Sequence, residues 1–233
     1  MHIQNRLAAL LFRIAMLISC VLGIWLMCFQ DGKLHPDIFI FYTNLSNLGC
    51  LLFFLPLTVK TALELARNGI RGNTVFIPRL KGAVTMMITL TFVVFAILLQ
   101  PFMFTMTQGM DLGFRFHFSN ILLHYITPLF VLFDWLLFDK KFQHRRFEPF
   151  LWLIIPYAYL IFVMIRAEVI GSEIAGMGSR YPYFFLDTDI FGWGGTALWV
   201  LGITIFFTAL GYGLVALDRI VRHNGKLRYI RWE

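Results

Sequence analysis

The sequence predicts an all-α integral membrane protein, a polytopic bundle of six transmembrane helices with both termini in the cytoplasm. Of the 233 residues 59% are hydrophobic and 26 are phenylalanine, and the mean hydropathy is +0.73. Charged residues make up only 14% of the chain, against about 25% in a typical soluble domain. Lysine and arginine are concentrated in alternate connections between the apolar runs, as expected of a chain that crosses a membrane repeatedly.

Six apolar runs are long enough to cross a hydrocarbon core of about 30 Å at about 1.5 Å per residue. The first run continues to Phe29, beyond the length of a cleaved signal peptide, so we interpret it as a retained helix. No connection is long enough for a separate soluble domain, so we expect one integral membrane domain over residues 1–233. The predicted spans are about 7–29, 38–62, 82–105, 117–139, 148–166 and 195–218.

The basic residues predict which side of the membrane each connection occupies. Sixteen of the 20 lysines and arginines lie on the side of the termini, and four lie on the other side. The positive-inside rule therefore places both termini in the cytoplasm, and we expect the chain in the plasma (inner) membrane of a bacterium. This asymmetry, together with the attraction of basic groups to anionic headgroups, accounts for the net charge of +7. We therefore expect no nucleic-acid partner.

The three cysteines, Cys20, Cys28 and Cys50, lie in apolar runs and form neither a CxxC pair nor a zinc-binding spacing. Buried free thiols are their expected state. The sequence predicts no metal and no cofactor, and it indicates no particular oligomeric state.

The second span opens with "FYTNLSN", residues 41–47, which places four small polar side chains in a segment otherwise typical of a membrane helix. Polar groups are costly in lipid unless they have partners. With the predicted topology Thr43 lies ~8 Å below the outer boundary and His124, in the fourth span, lies ~10 Å below it. Asn120 is one turn above His124 on the same face. We therefore expect Thr43 and His124 at matched depth in the outer leaflet.

Further polar groups are predicted at the same level. Gln100 and Thr105 close the third span on that side, and Arg166 closes the fifth. Ionisable groups within spans usually face a bundle interior or a water-filled cavity, so this convergence indicates a functional site. The outer connection adds Arg180, Tyr181, Tyr183, Asp187 and Asp189.

Each of these polar residues also has a structural interpretation. Thr43 can hydrogen-bond the carbonyl one turn back in its own helix. Side chains that can join neighbouring helices are those of Asn44, Ser46 and Asn47. The shared depth, rather than any single residue, is what favours a joint function.

The charged residues have structural interpretations as well. Arg166 and Arg180 can extend to water as interface anchors. The inner halves of the spans are less polar, with Asp134 as the main exception. We expect Asp134 to pair with Arg145 or Arg146 and to anchor that interface.

A threonine hydroxyl and a neutral imidazole form a minimal pair of nucleophile and base. A histidine within about 3 Å can take the hydroxyl proton as the bond to an acyl carbon forms. Groups within reach that can orient the histidine or donate to an oxyanion are Asn44, Asn47, Asn120, Asp187 and Asp189. Arg166 and Arg180 can bind a carboxylate of the substrate. Tyr181 and Tyr183 are further candidates for substrate binding. This set is compatible with hydrolysis of an ester of a lipid that carries an acid headgroup.

Three segments, "FYTNLSNLGCLLFF" (41–54), "SNILLHYITPLFVLFDWLLF" (119–138) and "RYPYFFLD" (180–187), resemble the androgen-induced/FAR-17a-type family of multispan membrane proteins, and more closely its prokaryotic relatives. Studied animal members are threonine hydrolases that cleave fatty acid esters of hydroxy fatty acids with an intramembrane threonine and histidine. The resemblance implies Thr43 as the nucleophile and His124 as the base. The surroundings of Thr43 are more polar here, and Ile121 and Leu122 stand where animal members have a second histidine, so the resemblance does not fix the lipid.

The leading hypothesis is therefore a membrane-embedded lipid ester hydrolase that acts on a fatty acyl substrate, with Ser46 as an alternative hydroxyl. A second hypothesis is a transporter or lipid-binding protein with an outward-facing polar site, whose helices Pro56 and Pro128 would kink. A third is a haem-binding electron carrier, although His117 and His124 lie on one helix and cannot easily clasp a haem between them.

Overall fold

A computed structural model of the chain describes residues 2–30, 32–101, 118–174, 177–223 and 226–229. Six helices in this part of the chain are long and apolar enough to cross a membrane. The predicted all-α architecture with six membrane-spanning helices is therefore confirmed, while the side on which the termini lie stays a prediction. The helices are α1 (Arg6–Cys28), α2 (Tyr42–Asn68), α3 (Pro78–Leu99), α4 (Phe118–Phe138), α5 (Glu148–Val169) and α6 (Thr188–Asp218).

Local sequence signals set several helix boundaries. α1 begins after Asn5, whose side chain accepts a hydrogen bond from the Ala8 amide at 2.9 Å. α2 ends before Gly69, whose φ of 73° is a conformation that glycine adopts without strain. α3 begins at Pro78, because proline fits the first position of a helix, where its missing N–H removes no hydrogen bond.

Two helices begin at a different residue from the predicted one. α2 begins at Tyr42 rather than near residue 38, because Pro36–Ile40 forms a 3₁₀ turn. α6 begins at Thr188 rather than near residue 195, because Asp187 caps its first turn and the chain bends at Gly192, where φ is 64°. The predicted end of the third span with Thr105, and the residues Arg115 and His117, lie outside the described residues.

The start of α1 and the ends of α2, α4 and α6 meet on one face of the bundle, which we call the terminal face. The Ile3 amide donates to the Leu137 carbonyl at 2.7 Å, and the Arg6 side chain donates to the Gly69 carbonyl at 2.8 Å. The opposite face, which we call the distal face, carries the start of α2 and the start of α6. Thr43 and His124 belong to the distal half of the bundle.

Two short antiparallel hairpins follow the first and last helices. β1 (Phe29–Gln30) pairs with β2 (Lys33–Leu34), with Phe29 opposite Leu34. β3 (Ile220–His223) pairs with β4 (Lys226–Tyr229), with Ile220 opposite Tyr229. Neither hairpin interrupts the helical bundle.

Buried apolar side chains form three clusters. The first joins α1, α2, α3 and α4 and includes Cys20 and Cys50, which are buried free thiols as expected, whereas Cys28 is partly exposed. The second packs α3 and α4 against the start of α5 and the end of α6, around Trp135 and Phe207. The third joins the distal half of α5 to the connection that precedes α6.

Four charged side chains are buried together near the terminal face, and we call them the ionic cluster: Arg13, Lys81, Asp134 and Asp139. Arg13 donates to Asp134 through Nε at 2.9 Å and through Nη2 at 3.3 Å. Lys81 pairs with both Asp134 and Asp139, and all four side chains are at most 2% exposed. Two cations and two anions thus neutralise each other where α1, α3 and α4 meet.

The ionic cluster corrects the expectation that Asp134 pairs with Arg145 or Arg146. A buried carboxylate needs partners at close range, and Arg13 and Lys81 already occupy its oxygens. Burial raises the pKa of Asp139, just beyond the end of α4, to about 6, although Lys81 opposes that rise.

Candidate functional site

Thr43 and His124 are in direct contact in the distal half of the bundle. Thr43 is the second residue of α2, and His124 lies in the first third of α4. The Thr43 Oγ1 and His124 Nε2 atoms are 3.1 Å apart, and the two residues are 6% and 5% exposed. The pair for which the sequence predicts equal depth is therefore within hydrogen-bonding distance.

The hydrogen bonds of His124 define which ring nitrogen carries the proton. Its Nδ1 lies 3.2 Å from the main-chain carbonyl oxygen of Asn120. Because a carbonyl only accepts, Nδ1 must donate, which leaves Nε2 of the neutral ring as an acceptor. The Thr43 hydroxyl then donates to Nε2, which is the arrangement in which an imidazole acts as a base. The orienting group is thus a main-chain carbonyl rather than one of the predicted side chains.

Two π-helical turns meet around the imidazole. His124 lies in the π turn Leu122–Ile126 of α4, and α3 contains a second π turn, Phe95–Leu99. The Phe95 ring stacks on the His124 ring, with 3.7 Å between centroids and an interplanar angle of 26°. Single π turns inside α-helices occur frequently at functional sites. The face of the imidazole is therefore covered by an apolar ring, while its edge contacts Thr43.

Asn47 and Asn44 use their amide hydrogens to hold the start of α2. The Asn47 Nδ2 atom donates to the carbonyls of Thr43 at 2.8 Å and Leu123 at 3.1 Å, which commits both of its hydrogens. The Asn44 Nδ2 atom donates to the Ile38 carbonyl at 2.8 Å. Asn47 therefore ties α2 to α4 beside the contact with His124, and its donors are not available to an oxyanion in this conformation.

Ser46 turns its hydroxyl away from His124. Its Oγ atom donates to the Thr43 carbonyl at 2.9 Å and lies 2.7 Å from the Thr91 Oγ1 atom on α3. Of the two aliphatic hydroxyls in "FYTNLSN", those of Thr43 and Ser46, Thr43 is the one that contacts the imidazole. Ser46 therefore serves to join α2 and α3.

Tyr183 meets Thr43 at the start of α2. The N–H groups of a first helical turn have no partner within the helix, and Phe41, which precedes α2, provides no side-chain cap. The Tyr183 hydroxyl interacts there with the backbone of Tyr42 and Thr43, with the Thr43 side chain and with Tyr159. Burial raises the pKa of Tyr183, and these interactions oppose the rise. A phenol that keeps its proton at neutral pH thus lies beside the Thr43 hydroxyl.

An apolar cavity of about 100 Å³ adjoins Thr43. It is bounded by α2, α3, α5, α6 and the connection that precedes α6, so Thr43 lies on its wall while His124 lies behind that wall. Thr43 and His124 belong to the second and fourth spans, whereas α4 contributes no residue to the described lining of the cavity. Among the described lining residues there is no charged side chain, and the hydroxyls come from Tyr42, Thr43, Thr91, Tyr157, Tyr159, Tyr183 and Thr204.

Arg166 and Arg180, the arginines predicted to bind a carboxylate, do not line the cavity. They instead hold the connection between α5 and α6, residues 170–187, which we call the distal connection. Arg166 donates through Nη1 to the carbonyls of Ser172 at 3.1 Å and Arg180 at 2.8 Å. Arg180 makes two hydrogen bonds of 2.9 Å to the carboxylate of Asp189. Both guanidinium groups therefore already have partners at the end of α5 and the start of α6.

Tyr181 and Asp187 also hold the distal connection to α5 and α6 through hydrogen bonds. The Tyr181 hydroxyl lies 2.9 Å from Glu168 Oε1 and 2.6 Å from Thr188 Oγ1. Asp187 caps α6, because its Oδ1 atom accepts from the amides of Asp189 at 2.9 Å and Ile190 at 3.2 Å. Among the residues of the distal connection that the sequence singled out, Tyr183 alone lines the cavity.

Three residues of the site, Tyr42, Phe95 and Tyr159, were not predicted from the sequence. Tyr159 donates to the Ile40 carbonyl at 2.9 Å and packs edge-on against Tyr42, with 5.1 Å between centroids. The position of Tyr159 in the sequence was a signal, because tyrosines usually lie at the membrane interfaces and Tyr159 does not. It lies eleven residues into α5, roughly 16 Å from the start of the helix, where a phenol needs a partner inside the bundle.

The described residues contain no group of three or more histidine, cysteine or acidic side chains arranged to hold a metal ion. Comparisons with known proteins find no matching family model, no matching curated protein and no matching solved structure.

Proposed function

We propose that the protein is a membrane-embedded carboxylic ester hydrolase that acts on lipids, with Thr43 as the nucleophile and His124 as the base. The observation that carries the proposal is the 3.1 Å contact between the Thr43 hydroxyl and the Nε2 atom of a histidine whose tautomer is fixed by a carbonyl. The resemblance of residues 41–54 and 119–138 to threonine hydrolases supports the same assignment. The position of Thr43 on the wall of an apolar cavity supports a lipid substrate.

In the first half of the reaction the Thr43 Oγ1 atom attacks the carbonyl carbon of the ester. The hydroxyl proton passes to His124 Nε2, and the His124 Nδ1 hydrogen bond to Asn120 holds the resulting imidazolium in place. The tetrahedral intermediate then releases the alcohol oxygen, which takes the proton from Nε2. The product of this half is an acyl ester on Thr43.

Donors for the oxyanion of the intermediate lie at the start of α2. The main-chain N–H groups of Tyr42 and Thr43 are in the first helical turn, and the Tyr183 hydroxyl interacts with both. We assign the Tyr183 O–H to the oxyanion, because Tyr183 and Thr43 both line the cavity. The predicted side-chain amides of Asn44 and Asn47 are engaged elsewhere and position α2 instead.

In the second half a water molecule attacks the acyl carbon on Thr43. His124 Nε2 takes a proton from the water as the water attacks. The bond between the acyl carbon and Thr43 Oγ1 then breaks, and Nε2 gives the proton to Oγ1, which restores the threonine hydroxyl. The carboxylic acid product leaves through the cavity. Phe95, stacked on the imidazole at 3.7 Å, keeps bulk water from the face of the base throughout.

Replacing either member of the pair tests the proposal. We expect Thr43→Ala and His124→Ala each to lower the turnover of a lipid ester by about 10⁴-fold or more, because nucleophile and base act as one unit. A fluorophosphonate probe should label Thr43 in the native protein and in Ser46→Ala, but not in Thr43→Ala. Mass spectrometry of the labelled peptide checks this. Native-like thermal unfolding of the variants shows that the loss is chemical, and turnover that persists in both variants contradicts the proposal.

The second function, transport or simple lipid binding, has one observation in its favour and one against it. The apolar cavity can hold a lipid without any reaction. Passage through the bundle would require the ionic cluster of Arg13, Lys81, Asp134 and Asp139 to open, and its charges are buried and paired. A liposome assay separates the two functions, since intact substrate crosses the bilayer in one case and is cleaved in the other.

We also propose that the protein lies in a bacterial plasma membrane with its terminal face in the cytoplasm. Arg13 and Lys81 are neutralised inside the bundle, which leaves fourteen basic residues on the terminal side against four on the distal side. That asymmetry still favours a cytoplasmic terminal face. The site then lies in the outer half of the membrane.

A further inference from the structure

The cavity beside Thr43 is elongated along the helices. Its wall on α3 runs from Leu90 to Leu99, which is roughly 13 Å of helix. The opposite wall consists of one face of α5 and one face of α6, from Val200 to Phe207 on the latter. An elongated apolar space with the Thr43 hydroxyl on its wall has the form required by a chain rather than by a compact ring system.

The α5 and α6 wall is formed by helix stretches that are partly exposed. Within 153–162 of α5 and within 197–206 of α6 no residue is fully buried. On the terminal side of this stretch Trp152 and Phe207 are buried, and on the distal side Val163 and Thr196 are buried. Buried residues thus flank this stretch of each helix on both sides, and the two stretches border an opening at mid-depth.

One side-chain contact bridges the opening. The Tyr157 hydroxyl donates to the Thr204 Oγ1 atom at 3.0 Å, and Thr204 in turn donates to the Val200 carbonyl at 2.7 Å. Tyr157 lines the cavity and is also 40% exposed, so its ring separates the cavity from the outer surface of the helices. In a membrane-spanning bundle that surface faces lipid chains.

The chemistry of the lining restricts what can lie inside. Aliphatic and aromatic side chains form most of the surface, and the polar atoms among the described lining residues are hydroxyls and not charged groups. A carboxylate or phosphate placed there would be buried without a cation, which is strongly unfavourable. An uncharged alkyl chain, with its ester carbonyl at the end nearest Thr43, satisfies both the shape and the polarity of this space.

We infer that the cavity binds a single uncharged acyl chain that enters from the bilayer between α5 and α6, past the hydrogen bond that joins Tyr157 to Thr204. The position of the ester at Thr43 rests on the proposed function, whereas the binding of the chain and its route do not. The arginines at the distal face then take no part in holding the chain, because Arg166 and Arg180 are bonded to the connection.

Photolabelling in lipid nanodiscs tests the inference without any turnover. The probe is a glycerol monoalkyl ether with a diazirine at the end of its chain, which no esterase can cleave. We expect label in the peptides that contain Leu160 and Ile203. Ile203→Trp, which fills the cavity, should reduce this label to the level found on other lipid-facing helices. The matched control is Ile205→Trp, because Ile205 lies on the same helix and is 62% exposed to the outside; its label should equal that of the native protein.

Two further comparisons test the charge and the route. A fatty acid that bears the same diazirine should label these peptides less than the ether does, because the described lining offers no cation to its carboxylate. Tyr157→Phe, which removes only the hydroxyl, should be labelled faster to the same final extent.

The inference is overturned if Ile203→Trp and Ile205→Trp are labelled alike, if the fatty acid labels as strongly as the ether, or if the labelling rate of Tyr157→Phe is unchanged. The absence of ester turnover in native protein that still takes up the label would contradict the proposed hydrolase and leave the chain site standing.

Discussion

In the proposed reaction, Tyr183 provides the oxyanion donor beside Thr43. Its hydroxyl interacts with the Thr43 side chain and with the backbone at the start of α2, while its ring stacks on that of Phe185 in the same connection, with 5.3 Å between centroids. Burial raises the pKa of Tyr183, so the O–H keeps its proton at and above neutral pH. A neutral phenol held by a stacked ring is a fixed donor of the kind that stabilises developing negative charge.

We expect Tyr183→Phe to lower kcat for a lipid ester by about 10²- to 10³-fold while KM changes little, because the lost hydroxyl acts in the transition state. Steady-state kinetics on purified protein in detergent measures both constants. The matched control is Tyr181→Phe, whose hydroxyl bonds to Glu168 and Thr188 away from the cavity. Equal kinetics in Tyr183→Phe and the native protein would remove Tyr183 from the mechanism.

At the scale of single residues, the sequence predicted that Thr43 and His124 lie at one depth, but it did not predict the residues around them. The helical rise of each predicted span was enough to place Thr43 and His124 at one depth, and the structure brings them to 3.1 Å. The partners of Asn47 and Ser46 depend on which helices are neighbours and on how each is rotated. Neither can be read from one sequence, so residues that join helices could not be separated from residues that face a cavity.

At the scale of helices, the close approach of α3 to the connection after α4 depends on Gly82. A Cβ atom at this position would lie 2.2 Å from the Cε1 atom of His144. The His144 ring cannot move aside freely, because it packs near Trp135 and Trp152 and bonds to Glu148 at 2.7 Å. The absence of a side chain at Gly82 therefore allows this part of the terminal face to close.

Gly82→Ala should destabilise the protein by about 1–3 kcal/mol, since the added methyl group must displace a ring that is held on several sides. Gly202→Ala is the matched control, because Gly202 is also inside a helix and a Cβ there meets nothing within 4 Å. That change should be neutral or stabilising by up to about 1 kcal/mol, through helix propensity alone. Thermal unfolding in detergent measures both, and equal shifts in the two variants would contradict the steric argument.

The helices themselves were predictable, whereas their irregular turns were not. Apolar length and polar flanks indicated all six spans, because these depend on composition over about twenty residues. The π turns at Phe95–Leu99 and Leu122–Ile126 add one residue to a turn without any distinctive local sequence. They arise where α3 and α4 pack together, and they therefore required the structure.

On the scale of the whole molecule the bundle divides into two halves with different chemistry. The terminal half is closed by the ionic cluster, which joins α1, α3 and α4 through Asp134. The distal half contains the Thr43 hydroxyl, and the cavity beside it extends to mid-depth, where partly exposed stretches of α5 and α6 form its wall. The paired charges and the cavity are therefore separated along the bundle, since the ionic cluster lies near the terminal face and Thr43 lies in the distal half.

Asp134→Asn should destabilise the protein by about 3–5 kcal/mol, because Arg13 and Lys81 would then share too little negative charge in a buried site. The exposed Asp37 provides the control, and Asp37→Asn should leave stability within about 0.5 kcal/mol of the native protein. Thermal unfolding in detergent at pH 7 checks both. Native stability in Asp134→Asn would show that the cluster contributes little to closing the terminal half.

The ionic cluster also has a consequence for how the chain is made. Arg13 is synthesised 121 residues before its counter-ion, Asp134. Until α4 emerges from the ribosome, α1 would carry an unneutralised guanidinium if it moved alone into the hydrocarbon, at a cost of several kcal/mol. The first helix should therefore remain beside the insertion machinery until the fourth arrives. Charge neutralisation would then determine when the nascent bundle is released into the membrane.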